Sequence, residues 1–166
     1  MYETPQEVED LQRLLDESQR SAGEHLASIW GDRHRMTAEQ LCSMMTGVQV
    51  LNLATVTASC RPLVAPVDGL FFRGRFYFGS SPDSVRFRHI RTRPQVSAAH
   101  TRGEDVAVIV HGDVHSVDLA VPEHAELRRH LLDVYGPDWE EWGASSSYAS
   151  IEPIKMFAVQ MHASTG

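Results

Sequence analysis

The stretch Gly79-Ser80-Ser81-Pro82-Asp83-Ser84-Val85-Arg86-Phe87-Arg88 gathers hydroxyl and guanidinium groups around one turn. It follows an aromatic run that reads as a strand. Ser81 is placed to cap a helix, Pro82 suits that helix's first turn, and Arg86 and Arg88 follow within that turn and the next. A strand feeding such a helix start makes an anion site: backbone N–H groups and hydroxyls donate, and guanidinium forks match phosphate oxygens. A phosphate monoester fits it. A helix end contributes about 0.3–2 kcal/mol and a charge-assisted hydrogen bond about 1.5–3 kcal/mol, whereas micromolar affinity requires about 8 kcal/mol. The phosphate must therefore anchor a larger apolar body. The competing role for these residues is a capped helix with a solvated arginine face.

Charge supports the ligand reading. Residues 1–45 carry a net −5, residues 46–102 a net +6 and residues 103–166 a net −8. Every base in the middle segment is Arg, and Lys155 is the chain's lone lysine. A basic centre inside an acidic chain is not needed for solubility, so it points to a local anion. Upstream of the turn, Arg61-Pro62-Leu63-Val64-Ala65-Pro66-Val67 reads as a strand that prolines interrupt. This strand must be an edge, or be broken where something else approaches.

The elements that must position these residues are legible in outline. Thr4-Pro5-Gln6-Glu7 has the form of a capping box, and an apolar stripe from Val8 through Leu11, Leu15, Ala22 and Leu26 to Ile29 predicts one helix ending near Trp30-Gly31. Thr37-Ala38-Glu39-Gln40 predicts a second helix stopping at Gly47. From Val48 onwards β-branched and aromatic residues alternate with turn signals. Strands are expected over 48–57, 62–72, 76–79, 95–101, 106–117 and 154–161, with helices after Ser81-Pro82 and from Pro122 towards Tyr135. Asp138 to Tyr148 reads as a loop. The expected organisation is an N-terminal helical extension, residues 1–47, packed on a barrel domain, residues 48–166.

The bulk properties bound the class. At 166 residues one core is the default. No apolar run approaches the ~18–20 residues of a membrane span, and the acidic N-terminus is unlike a secretory signal, so a soluble cytoplasmic protein is expected. Cys42 and Cys60 are the two cysteines, without the spacing of a zinc site or a disulfide framework.

Together these motifs resemble the flavin-binding split-barrel superfamily, the pyridoxamine 5′-phosphate oxidase-like proteins. Ala54-Thr55-Val56-Thr57 with Arg61-Pro62 resembles its first strand and turn, and Val64-Ala65-Pro66-Val67 the strand whose backbone lies along the isoalloxazine edge. Ser84-Val85-Arg86 sits where the family has Ser-x-Lys, Arg93-Pro94-Gln95-Val96-Ser97 resembles its Asn-Pro-x-Val stretch, and Val110-His111-Gly112-Asp113-Val114 its later bend. The match covers roughly residues 48–118, and Glu152-Pro153 with Met156-Phe157 suits the closing strand.

The resemblance implies an α+β fold: a six-stranded antiparallel split β-barrel with two inserted helices, forming a homodimer with the ring at the twofold interface. It implies an oxidoreductase holding FMN, or alternatively the deazaflavin coenzyme F-420, through Val64, Pro66, Val67, Ser80, Ser81, Ser84, Arg86 and Arg88. Hydride would pass between ring and small-molecule substrate with no dedicated side-chain acid or base. Arg86 replaces the usual lysine. The segment with which true pyridoxamine phosphate oxidases hold substrate has no counterpart, so the resemblance does not extend to that activity. Arg88 and Arg91 would suit the longer anionic tail of the deazaflavin. Trp139, Trp142 and Tyr148 are candidate walls of a substrate pocket, with ordinary packing as their competing role.

Three other functions compete. Some split barrels bind or degrade haem, and His100, His111 and His115 would be the candidate ligands. A nucleic-acid module would use Arg73 to Phe78, but an acidic chain repels a polyanion beyond that patch. A barrel that stores or senses a cofactor without catalysis is the third.

Overall fold

The computed structural model describes residues 2–143 and 145–161. Both N-terminal capping boxes form. Thr4 accepts the Glu7 N–H while its own N–H donates to the Glu7 carboxylate, opening helix α1 (Pro5–Arg20). Thr37 and Gln40 do the same for α3 (Ala38–Met44).

The long first helix expected from the apolar stripe is broken. The chain leaves it at Ser21 and restarts as α2 (Glu24–Ile29), with Gly23 as its cap. Ser18 Oγ donates back to the Leu14 carbonyl and Ser21 Oγ to the Ser18 carbonyl. Hydroxyls competing for backbone acceptors, followed by glycine, end a helix that periodicity alone would continue. Ile29, placed on the stripe, is exposed.

Six antiparallel strands follow: β1 (Val48–Val56), β2 (Pro62–Phe72), β3 (Arg75–Ser80), β4 (Gln95–Arg102), β5 (Val106–Val117) and β6 (Ser147–Gln160). They close into a barrel in the order β1, β2, β3, β6, β5, β4. Alternate residues point inward, so Leu51, Leu53, Phe76, Phe78, Val108, Val110 and Ile151 fill the interior with Leu11, Leu15 and Leu41 from the N-terminal helices. Ser18 Oγ also accepts the Met156 N–H at 2.9 Å, tying α1 to β6.

Three helices are inserted rather than two: α4 (Val85–Ile90), α5 (Ala125–Tyr135) and α6 (Trp139–Gly143). The last falls inside the expected loop, and β6 begins at Ser147, seven positions before the expected start. Trp139 is buried there with Leu70, Phe72, Val117, Leu127 and Leu131 in a second apolar cluster on the barrel's outer surface. Tertiary burial of one tryptophan orders a segment whose local composition favours a loop. Pro153 is accommodated by an irregularity of the β5–β6 register at His111/Gly112. An added Cβ on Gly112 would stand 2.0 Å from the Glu152 carbonyl oxygen, so glycine is required. This is an α+β split barrel. No helix among the described residues is long and apolar enough to cross a membrane.

Candidate functional site

β3 pairs with β2 over Phe72 to Gly69. Residues 62–68 of β2 are paired on the β1 side alone, which leaves a free backbone edge. Pro62 and Pro66 fall in this stretch, where a missing N–H breaks no ladder on the open side. Val64 and Pro66 are exposed, whereas the Val67 side chain belongs to the core and offers only its backbone.

The turn after β3 differs in detail from expectation. The Ser84 N–H donates to the Ser81 carbonyl, closing a turn with Pro82 at its second position. Proline presets that turn, so the helix starts later. Ser84, not Ser81, is the N-cap of α4 and accepts the Phe87 N–H, and Pro82 lies outside the helix. Since α4 has six residues, its macrodipole contributes little, and an anion at this turn would have to be held by side chains.

Arg86 occupies the decisive position. Its Nη2 donates to the Pro66 carbonyl at 2.9 Å, joining the turn to the open edge of β2. It has no carboxylate partner among the described residues, and burial pushes its pKa below the ordinary arginine value. A partly desolvated cation lacking a counter-charge is the arrangement an anion relieves. Ser80 ends β3 opposite Ser147, and Ser81 is exposed at the turn. Arg88, two residues beyond Arg86, projects from another face of α4 and is exposed. The structure thus brings Arg86 to Pro66, keeps Ser84 as the cap of α4, and leaves Arg88 exposed on that helix.

Part of the basic segment is structural. Arg73 pairs with Glu7 and Glu126, Arg75 with Glu152 at 2.7 Å, and Arg102 donates to the Met44 carbonyl and to Gln49. The charge run in sequence therefore divides into barrel-bracing arginines and a smaller set near the turn.

A cleft of about 740 Å³ opens beside the turn, between α4, the segment after β5, and α6. Trp139 and Tyr148 line it together with Pro82, Phe87 and Arg91. Trp142 lines a smaller adjoining cavity of about 100 Å³ with Leu70, Tyr77 and Tyr135. Burial, with Asp68 as a second cause, pushes the Tyr135 hydroxyl up to about 12, and burial also raises Tyr77 and Tyr148. These phenols are neutral at physiological pH. The cleft was not legible in the sequence beyond the Trp- and Ser-rich run at 138–148.

Among the histidines, His100 has both ring nitrogens engaged, with the Val50 carbonyl and with Arg102 Nε. His111 Nδ1 contacts Ser97 Oγ at 2.7 Å. No group of three or more His, Cys, Asp or Glu among the described residues is arranged to hold a metal ion. Burial pushes the Cys42 thiol up to about 12, so it is unreactive near neutrality.

No protein-family model and no curated protein sequence matches the chain. Solved structures do. An FAD-binding protein from Mesorhizobium loti is 19% identical, with a TM-score of 0.60 over 76% of this chain and 96% of that one. A putative pyridoxamine 5′-phosphate oxidase from Listeria innocua is 13% identical, with a TM-score of 0.57 over 72% and 95%. HutZ, the haem storage protein from Vibrio cholerae, is 15% identical, with a TM-score of 0.60 over 73% and 93%. The chain has the split-barrel fold of the pyridoxamine 5′-phosphate oxidase-like proteins.

Proposed function

We propose that the chain is an oxidoreductase that holds FMN, or the deazaflavin coenzyme, by its phosphate at the turn after β3, with the ring along the open edge of β2. The observation that carries this reading is the Arg86–Pro66 hydrogen bond. It places an uncompensated, partly buried cation beside the one stretch of β2 whose backbone is free. The residues fit the group: Arg86 keeps further N–H donors for phosphate oxygens, and the Ser84 hydroxyl, accepting through its lone pair, keeps its hydrogen to donate. Ser80 and Ser81 supply two more hydroxyls, while Val64, Pro66 and Val67 offer the ring an apolar and backbone surface. Flavin-binding and oxidase relatives of the fold support the cofactor class. When bound, the cofactor supplies hydride transfer with a small-molecule reactant. The protein's part is to orient the ring and exclude water.

A second copy of the chain completes this reading. Val48 and Val50 on β1 and Val64 on β2 are exposed at 41, 52 and 67%. Registers place Val50, Asn52 and Ala54 of β1 beside Asp68, Pro66 and Val64 of β2, and Asn52 and Ala54 also beside Ala99 and Ser97 of β4, so that Asp68 is the one acid in this row. A sheet face of small and apolar side chains with few charges is a surface to be covered. A homodimer through it would bury Val64 and Pro66 next to the ring. We take residues 48–166 as the cofactor-binding unit and 1–47 as an extension bracing it.

Absorption spectra of the purified chain, before and after adding FMN, deazaflavin coenzyme or haem, test the cofactor. A flavin or deazaflavin band that stays with the protein through gel filtration is expected; a haem Soret band alone overturns the reading. Sedimentation velocity tests the dimer. Val50→Asp is expected to yield monomer, and a monomeric unmodified chain would remove the interface from the proposal.

A further inference from the structure

The cleft beside α6 is not the phosphate turn: Pro66, Ser84 and Arg86 do not line it, whereas Arg91 and the Trp139–Tyr148 pair do. We propose that this cleft is a second ligand site, for a flat aromatic acid with an N–H donor at its other end.

Its wall is held rigid. Trp139 Nε1 donates to the Tyr148 hydroxyl at 2.9 Å, and that hydroxyl contacts the Gly143 carbonyl at 3.4 Å. An added Cβ on Gly143 would stand 2.7 Å from Trp139 Nε1, and one on Gly79 would stand 2.8 Å from the Tyr148 ring. Two glycines therefore let both rings seat against backbone, and Phe87 and Pro82 add apolar surface. A preorganised aromatic wall favours a planar ligand, because little side-chain freedom is lost on binding.

Its charges select the ligand's ends. Arg128 and Glu140 pair with each other and cancel. Arg91 is anchored through backbone acceptors only, Nη2 on the Pro82 carbonyl at 2.8 Å and Nε on the Phe87 carbonyl at 3.3 Å. These bonds fix the guanidinium at the rim, and it has no carboxylate partner among the described residues. Nη1 remains to receive an acid. Asp118 Oδ1 accepts the Ala120 N–H at 2.9 Å, and its second oxygen is an acceptor for an N–H of the ligand. Ser116, Ser146 and Ser147 also line the cleft and add hydroxyls.

Calorimetric titration of the full chain with 6-amino-2-naphthoate, and separately with its uncharged carboxamide, tests the site. The acid is expected to bind, and the amide about tenfold or more weakly, since a charge-assisted hydrogen bond is lost. Arg91→Gln is expected to equalise the two ligands, and Arg91→Lys to retain the preference in part. No binding of the acid, or equal affinity of acid and amide on the unmodified chain, overturns the proposal without recourse to any variant. So does an Arg91→Gln protein with full preference. FMN binding to Arg91→Gln reports on the phosphate turn independently.

Discussion

Arg86 Nη2 stands 2.9 Å from the carbonyl oxygen of Pro66, twenty positions earlier in the chain. This contact locks the first turn of α4 onto the unpaired edge of β2, so the side chain proposed to grip phosphate also orients the strand proposed to border the ring. Proline is compatible with this role because the contact uses its acceptor, not the donor it lacks.

Arg86→Ala is therefore expected to weaken FMN binding by ~1.5–3 kcal/mol, the range for a charge-assisted hydrogen bond. Arg86→Lys keeps the charge but not the fork, and should fall between the two. Fluorescence quenching of added FMN measures both. An unchanged dissociation constant for Arg86→Ala rejects the assigned phosphate site.

Gly112→Ala tests the bend in β5. The new methyl would meet the Glu152 carbonyl oxygen at 2.0 Å and the Pro153 Cα at 3.1 Å, both backbone atoms that cannot rotate away. Overpacking of this kind costs about 1–3 kcal/mol. A urea midpoint equal to that of the parent would show that the β5–β6 register shifts freely.

Tyr148→Phe removes the oxygen that accepts Trp139 Nε1. The indole N–H is then left without its partner in a buried position, at about 1–3 kcal/mol. Thermal unfolding should occur at lower temperature, and the tryptophan emission should shift as the indole environment changes. Retention of both would mean that water or the Gly143 carbonyl replaces the lost acceptor.

His130 should impose an acid limit on stability. It is buried, stacks on Phe72 at 5.5 Å and meets the Tyr2 ring at 4.3 Å, and its Nδ1 has no hydrogen-bond partner. Burial lowers its pKa from 6.5, with Asp133 and Glu3 opposing the shift. Below about 6.5 the unfolded chain takes up the proton first, so stability is complete above that pH and declines as pH falls towards the folded-state value. Urea midpoints measured from pH 8 to pH 5 should show this decline, and His130→Phe should flatten it. A parallel decline in that variant would assign the effect to other groups.

Much of this architecture is written locally. Both capping boxes, the barrel strands β2 and β5, the end of α5 at Tyr135 and the proline-interrupted edge follow from short-range rules, because caps, alternation and proline geometry depend on neighbours within a few residues. The Ser-x-Arg turn was legible for the same reason. Its cap was misplaced by three residues because Pro82 serves a turn as readily as a helix start, and only the Ser84–Ser81 hydrogen bond decides between them.

Long-range contact decided the rest. Which arginines brace the barrel depends on Glu126 and Glu152, far along the chain from Arg73 and Arg75. α6 forms because Trp139 finds a buried place against Leu70 and Phe72, which no window of sequence around residue 139 contains. The aromatic wall and the Arg91 rim are likewise products of closure: the barrel brings β3, β5 and β6 to one end, and burial there outweighs the weak local preferences of the segment that completes it.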